Sequence, residues 1–224
     1  MLSTCYNESN EYEIGIDEAG RGPLFGRLYV GAAVLPKGDD FEHGWMKDSK
    51  KFHSKKKIKE VSEYIKNNAL SWSIQYIEHD TIDVINIRES VHMGMHNAIK
   101  DILSKSLCKK GNTFILIDGN HFKPYCVYDE EEEQLSMMPF ETIEGGDNKY
   151  TSIAAASILA KVARDEYIEE LCKEHPELID RYNIEKNKGY GTKAHLQGIS
   201  EHGISQWHRK TYGQCKDAVV LSLI

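Results

Sequence analysis

The sequence lacks most of the features that would take it out of the ordinary globular class. Its five cysteines (Cys5, Cys108, Cys126, Cys172, Cys215) are odd in number and scattered, with no CxxC pair, which argues against a disulfide framework and a structural zinc site. Reduced, structural thiols are expected. No apolar run approaches the roughly 18 residues that a membrane span needs. The segment before Glu13 has neither a basic start nor an apolar stretch, so no secretion signal is predicted and cytosol or nucleus is the expected location. There is no internal repeat or long linker, and 224 residues fit one compact domain with a small appendage. With 40% apolar and 28% charged residues, the chain is neither disordered nor fibrous.

An excess of positive charge is also missing, and a net charge of −7 taken alone argues against a nucleic-acid binder. The average conceals a segregation. Residues 47–59 (KDSKKFHSKKKIK) carry +6 and residues 186–216 carry +5, which leaves −18 for the rest of the chain. Asp129 to Glu133 (DEEEE) holds five of those negatives and reads as a solvated loop. If the fold brings the two basic islands together they form a surface that can track phosphates; otherwise they are exposed faces.

The hydropathy pattern predicts strands at Glu13 to Ile16, Leu28 to Leu35, Ser71 to Ile77, Phe114 to Ile117 and around Phe140 to Ile143. The first two read as a hairpin. Helices are predicted at Lys55 to Asn68, at Thr81 to Leu103 and in SIAAASILAKVARDEYIEELCKEH, capped by Thr151 or Ser152 and ended by Pro176. One face of that last helix reads Ile153, Ala156, Ala160, Ala163, Tyr167 and Leu171, small enough to lie close against a sheet. The remainder reads as loop-rich and basic, with a final helix. This order of elements implies an α/β domain with a mixed sheet.

The acids are the informative residues. Asp17 and Glu18 follow one apolar strand, Asp118 follows another, and Asp147 follows a third behind Gly145 and Gly146. Strand ends open onto a crevice in α/β sheets, so these four acids can converge across long sequence separations. Converging carboxylates are tolerated only when they share a proton or a cation neutralises them, and oxygen donors without His or Cys favour Mg²⁺ or Mn²⁺. Neighbours on a strand point to opposite faces, so Asp17 and Glu18 are expected to share a site only if the strand stops there, with Gly20 and Gly22 placed to stop it. The alternative is that these are turn-forming acids at strand ends. Gly20-Arg21-Gly22-Pro23 offers free N–H groups and a guanidinium, the ingredients of a phosphate or sugar cradle. A dinucleotide-binding turn fits less well, because the spacing is G-x-G-x-x-x-G and a strand follows instead of a helix.

GIDEAGRGPLFG, DSKK, LIDGN, GGD, SIAAASILAKVARD, NKGYGTKAH and HGISQWHRKTYG, in that order from residue 14 to about 213, together resemble type 2 ribonuclease H, the ribonuclease HII family. The resemblance implies a ribonuclease H fold: α/β, with a five-stranded mixed sheet flanked by helices and a small C-terminal helical portion. It divides the chain into a catalytic part, residues 1–175, and a basic helical segment, residues 176–224, packed on it. By matching motifs, the family's metal-binding catalytic acids fall on Asp17, Glu18, Asp118 and Asp147. Gly20, Arg21 and Gly22 match its GRG motif, which reads the 2′-hydroxyl at an RNA–DNA junction. Tyr190 matches the tyrosine that stacks on the sugar there, with Lys188 and Gly189 beside it. Lys50 and the basic C-terminal segment match regions lying along the nucleic-acid backbone.

The cofactors implied are two Mg²⁺ or Mn²⁺ ions per substrate complex. The implied substrates are RNA–DNA hybrid and duplex DNA with embedded ribonucleotides, cut on the 5′ side to leave a 3′-hydroxyl and a 5′-phosphate. A monomer without a membrane partner is expected. His121, His195 and His208 are expected to be structural or phosphate-facing, with no protein general base required. Two features depart from the family: Gly145, preceded by Glu144, stands where the family often has lysine, and residues 129–133 must point away from substrate. Residues 134–140 (QLSMMPF) are similar to a sliding-clamp-binding peptide but lack its second aromatic, so Met137 and Phe140 are expected in the core. Type 3 ribonuclease H lacks the GRG motif and adds an N-terminal domain. Other nucleases of this fold share the acids but not the GRG and KGYGT pair. A non-catalytic hybrid-binding module would not need all four acids.

Overall fold

The computed structural model describes residues 2–105, 107–129 and 133–220. Residues 130–132, the centre of the acidic run, lie outside them, and with them the expectation about where that run points.

Five strands form one mixed sheet: β1 (Tyr12–Ala19), β2 (Leu28–Val34), β3 (Ser71–Ile77), β4 (Thr113–Asp118) and β7 (Phe140–Ile143). Their order is β3-β2-β1-β4-β7, with β1 antiparallel to β2 and parallel to β4, and β4 parallel to β7. This is the expected fold class. One face carries α2 (His79–Ser104), whose Val91, Met95, Ile99 and Ile102 pack on Ile14, Ile16, Val30 and Ile115. The other carries α1 (Lys55–Asn68) and α3 (Thr151–Glu174) over Ala33, with Val61, Ile65, Ala155, Ile158 and Leu159 between them. The central strands are covered on both faces, which is why they read as continuous apolar runs.

Helix α3 lies unusually close to the sheet. A Cβ on Gly31 would stand 2.2 Å from the Ala156 carbonyl oxygen, and one on Gly15 would stand 2.2 Å from the Ser152 carbonyl carbon. The small residues on the helix are matched by glycines on the strands, and residues Thr151–Ala160 are buried on every side.

Several expectations are corrected. Neither Thr151 nor Ser152 caps α3: the cap position is Tyr150, the Thr151 N–H donates to the Ser3 carbonyl (2.8–3.0 Å bonds join residue 3 to residues 149 and 151), and the Thr151 hydroxyl meets His43 Nδ1 at 3.0 Å. A tertiary partner has replaced the local cap. Helix α2 is broken at Asn86 (φ 68°), whose Oδ1 accepts from the N–H groups of Arg88 and Glu89 at 3.0 and 3.2 Å, a cap inside the predicted helix. The stretch before β7, patternless in sequence, contains a two-stranded sheet of β5 (Cys126–Asp129) and β6 (Gln134–Met137). Met137 is exposed on it and Met138 is the buried residue, while Phe140 packs partly buried against the core, so the core expectation fails by one position at the methionine.

The C-terminal region holds more helix than expected, α4 (Glu177–Tyr182), α5 (Ile184–Asn187), α6 (Lys193–His202) and a 3-10 turn at Gly213–Asp217, joined by non-helical segments at 188–192 and 203–212. Asn183 and Lys188, both left-handed, turn the chain between the short helices. Leu178, Tyr182, Ile184, Ile199 and Ile204 share one core with Phe25, Ile168 and Leu171. Phe25 ties that core to the loop joining β1 and β2.

Candidate active site

Strands β1 and β4 are parallel neighbours, with Ile16 beside Ile117, so Asp17 and Asp118 come one step later at the same edge. Strand β1 does not stop between Asp17 and Glu18. Its ladder with β2 continues through Asp17–Gly31, Glu18–Val30 and Ala19–Tyr29, and turns only at Gly20 (φ 94°). The two side chains therefore leave on opposite faces, Asp17 toward Ser157 of α3. They nevertheless feel one field at the end of the neighbouring strand: β4 stops at Asp118, whose charge acts on both.

Asp17 is only 6% exposed and accepts the Glu18 N–H at 2.7 Å. Burial, then the charges of Glu18 and Asp118, hold its carboxyl well above the usual carboxylate range, against a hydrogen bond from Ser157. Glu18 is raised by burial and by Asp118, with Arg21 opposing through a 3.4 Å contact. Asp147 sits in the 3-10 turn Gly146–Asn148 between β7 and α3, where burial and the charges of Asp118 and Asp48 raise it. Asp118 Oδ1 accepts the Gly146 N–H at 2.6 Å, which ties the end of β4 to that turn. Burial lowers Lys50, but Asp48, Asp147, Asp17 and Asp118 outweigh it and raise its affinity for a proton. The lysine expected along a phosphate backbone thus stands within the field of the acids.

These donors suit a hard divalent cation: they are carboxylate oxygens, buried at Asp17 and Asp147 and half-buried at Glu18 and Asp118, that repel one another, with Lys50 and Arg21 as opposing cations. Among the described residues no three His, Cys, Asp or Glu side chains are drawn in to the spacing of a closed metal site. They share a field without closing on one point.

Beside the acids lies a second surface. The loop from Gly20 to Gly26 meets the segment from Lys188 to Gly191: Leu24 N–H donates to the Gly189 carbonyl at 2.9 Å, and the Tyr190 ring lies 3.7 Å from where a Gly22 Cβ would stand. Gly189 has φ 82°, and a Cβ there would meet Phe25 Cβ at 2.9 Å, so only glycine brings the two segments this close. Tyr190 is half exposed at 50%. The Lys188 ammonium pairs with Glu169 at 3.2 Å, and Glu169 also takes Lys55 and Lys59 at 3.1 and 3.3 Å. Desolvation opposes ionisation of Glu169, but those lysines hold it down to about 2. One carboxylate thereby joins the two basic islands across α3.

Sequence reading missed Asp48, which caps the turn at Ser49–Lys51 by accepting the Lys50 N–H at 2.9 Å and reaches Asn148 at 3.4 Å. DSKK held it in view, but an Asp before Ser reads as an ordinary cap. It also missed the support of Tyr190. His195 and His208 are fully buried, their Nε2 atoms 3.0 Å apart, while His121 is exposed. His208 Nδ1 accepts the Ser205 N–H at 3.0 Å, so its Nε2 carries the proton given to His195, whose Nδ1–H donates to the Tyr190 carbonyl at 3.0 Å. Both rings are neutral, and burial lowers His208 to about 3. An ordinary histidine titrates near 6.5 when unfolded, so His208 adds stability in full above that pH and loses it as pH falls toward 3, by about 1.4 kcal/mol per pH unit, with His195, lowered by burial, acting in the same direction. In thermal melts, the stability gap between the parent and His208→Asn should be widest at pH 7.5 and narrow by pH 5. A constant gap would mean the pair does not titrate as buried neutral rings.

Sheet order, helices and the edge of acids place this chain among the ribonuclease H-like hydrolases. The family model described as Ribonuclease HII matches residues 14–215. The chain is 40% identical over 207 residues to the ribonuclease HII of Parabacteroides distasonis, covering 92% of each. In structure it is similar to the ribonuclease H2 of Pyrococcus horikoshii (TM-score 0.67, 20% identity, 92% of this chain and 96% of that one). It is also similar to the ribonuclease HII in a PCNA:RNase HII complex from Archaeoglobus fulgidus (TM-score 0.64, 21% identity, 90% and 95%). A Bst-RNase HIII solved in complex with Mn²⁺ gives a TM-score of 0.64 at 18% identity, over 93% of this chain and 70% of that one. The chain belongs to the ribonuclease HII family, the type 2 ribonucleases H.

Proposed function

We propose that this endonuclease hydrolyses the RNA strand of RNA–DNA hybrids and incises duplex DNA on the 5′ side of embedded ribonucleotides, leaving a 3′-hydroxyl and a 5′-phosphate. The observation that carries the reading is the contact of the Gly20–Gly22 loop with Tyr190 beside the acids, joined to them by Arg21 and Glu18. RNA differs from DNA at the 2′-hydroxyl, and a backbone cradle next to a half-exposed aromatic ring is suited to reading it at one sugar.

Asp17, Glu18, Asp118 and Asp147 would hold two Mg²⁺ or Mn²⁺ ions. Bound there, the ions supply Lewis acidity, to lower the pKa of an attacking water and to neutralise charge growing on the leaving 3′ oxygen. The residues of the chain provide the rest. Ser157 and the Glu18 amide orient the Asp17 carboxylate, and the Gly146 amide orients Asp118. Lys50, held by the same acids, is placed to meet a phosphate oxygen, and Tyr190 to stack on the junction sugar. The lysines around Glu169 extend a positive path for the duplex backbone.

The biological setting proposed is ribonucleotide removal and primer processing by a monomer in the cytoplasm, or the nucleus of a eukaryotic host, with residues 176–224 as a substrate-gripping segment. No helix among the described residues is long and apolar enough to cross a membrane. The PCNA complex of the Archaeoglobus relative makes a sliding clamp a candidate partner, although residues 134–137, within the peptide-like stretch, are tied into strand β6.

The test is cleavage of an end-labelled DNA duplex holding one ribonucleotide, with Mg²⁺, with Mn²⁺ and with chelator, beside an all-DNA control. Metal-dependent incision 5′ to the ribonucleotide is expected. Cleavage of a long hybrid alone would indicate another substrate preference within the ribonucleases H, and silence on both would indicate a binding module.

A further inference from the structure

The loop proposed to read the 2′-hydroxyl is gripped from behind by one buried guanidinium. Arg209 is 0% exposed and spends its donors on four backbone carbonyls of that loop: Nη2 on Gly20 (2.6 Å), Nη1 on Arg21 (3.1 Å) and Pro23 (2.9 Å), and Nε on Gly26 (2.9 Å). Its own N–H donates to the Leu24 carbonyl at 2.8 Å, and Gly26 N–H donates to Trp207 at 2.9 Å, so residues 207–209 run alongside the loop as a strap. Tyr212 completes the grip, with its hydroxyl on the Arg21 carbonyl at 3.2 Å and its ring 5.1 Å from the Arg209 guanidinium carbon.

The arrangement is chemically unusual. Burying a cation is costly unless its donors are satisfied, and among the described residues Arg209 makes no carboxylate ion pair. Its hydrogen bonds go to peptide carbonyls, with the Tyr212 ring and the more distant charge of Asp83 favouring the cation. A planar fork with five N–H donors can hold several carbonyls at fixed relative positions, which a lysine cannot. Pulling the carbonyls of Gly20 and Arg21 inward also turns the opposite side of these two peptides, where the Arg21 and Gly22 N–H groups lie, away from Arg209, while the Leu24 N–H opposite the Pro23 carbonyl is spent on Gly189. A second buried arginine, Arg164, bonds the Phe25 and Lys188 carbonyls at 3.3 and 2.9 Å and so links this loop to the Tyr190 segment.

We infer that Arg209 is a positioning residue for junction recognition: without touching substrate, it sets the spacing of the Gly20–Gly22 peptides against Tyr190 and thereby the preference for a ribonucleotide junction over a continuous hybrid. The inference rests on the proposed reading of that loop and assigns its geometry to a residue 188 positions away from Arg21.

The experiment compares the parent, Arg209→Lys and Arg209→Gln on a duplex with one ribonucleotide and on a long RNA–DNA hybrid, taking the ratio of kcat/KM for the two. Loss of folded protein lowers both values equally and leaves the ratio unchanged. Arg209→Gln is expected to lower the junction-to-hybrid ratio at least about tenfold, chiefly through kcat, with Arg209→Lys in between. A ratio within twofold of the parent in both variants overturns the inference. A parent that does not incise at a junction removes the reading of the loop, and the inference with it. Hydrogen exchange on the parent needs no variant: the Leu24 and Gly26 amides should be protected to within about tenfold of the Arg209 amide, and exchange at open-loop rates would overturn the grip.

Discussion

Asp118→Asn should lower hydrolysis of both substrates by roughly 10³-fold or more, equivalent to about 4 kcal/mol of transition-state stabilisation, while the protein stays folded. The reasoning is electrostatic. Asp118 ends the strand between Asp17 and Asp147, and its charge appears among the forces raising Asp17, Glu18 and Asp147. Its charge acts on all three of the other acids, so removing it weakens the negative field that would hold the cations. The amide retains an oxygen for the Gly146 N–H, so the turn bearing Asp147 has no reason to open. Single-turnover cleavage with circular dichroism on the same sample measures both. Cleavage within tenfold of the parent would sink the metal-site assignment.

A companion expectation fixes the sign of the repulsion. Asp17 is held above its usual range by burial and by its neighbours, so in the ionised form it works against folding at neutral pH. Asp17→Asn, melted with chelator present, should unfold at a higher temperature than the parent while losing activity. A lower melting temperature would mean the carboxylate is structurally supported more strongly than its neighbours oppose it.

The second large effect is expected at Tyr190. Its ring is half exposed beside Gly22, and its backbone is held by the His195–His208 relay, so truncation removes a surface and leaves the scaffold in place. Aromatic stacking on a nucleic acid contributes about 1–3 kcal/mol per contact, so Tyr190→Ala should slow junction incision by roughly 5- to 150-fold. Duplex affinity, carried mainly by phosphate contacts, should change far less. Incision rate and fluorescence-anisotropy affinity on one duplex separate the two, and an equal loss in both would argue against stacking at the junction.

The acids were legible because each stands after a short apolar run, and a run such as FILI leading into Asp118 marks both the strand and its edge. The same logic missed how Asp17 and Glu18 come together. It looked for an end in β1, whereas the relevant end belongs to β4, and which strand lies beside β1 is not written in β1. Helix α1 and strand β3 appeared as expected because propensity, cap and pattern agree locally. The hairpin of β5 and β6 was invisible because only one face of each strand packs, leaving Tyr128, Leu135 and Met137 exposed. Counting residues 186–216 as a basic surface also overstated it, since Arg209 is fully buried and Lys188 is paired with Glu169.

By itself, the sequence determined the α/β class, the strands of the sheet, the four acids and the motifs that mark the family, since each depends on residue type and short-range order. Only the tertiary structure decided which groups share a field and which charges point inward. Lys50 lies among the acids, one carboxylate joins the two lysine clusters, and Arg209 holds the Gly20–Gly26 loop from the far end of the chain. The physical reason is that an arginine's place depends on where its donors find acceptors. Here those acceptors are backbone carbonyls, which every residue carries and no sequence pattern distinguishes.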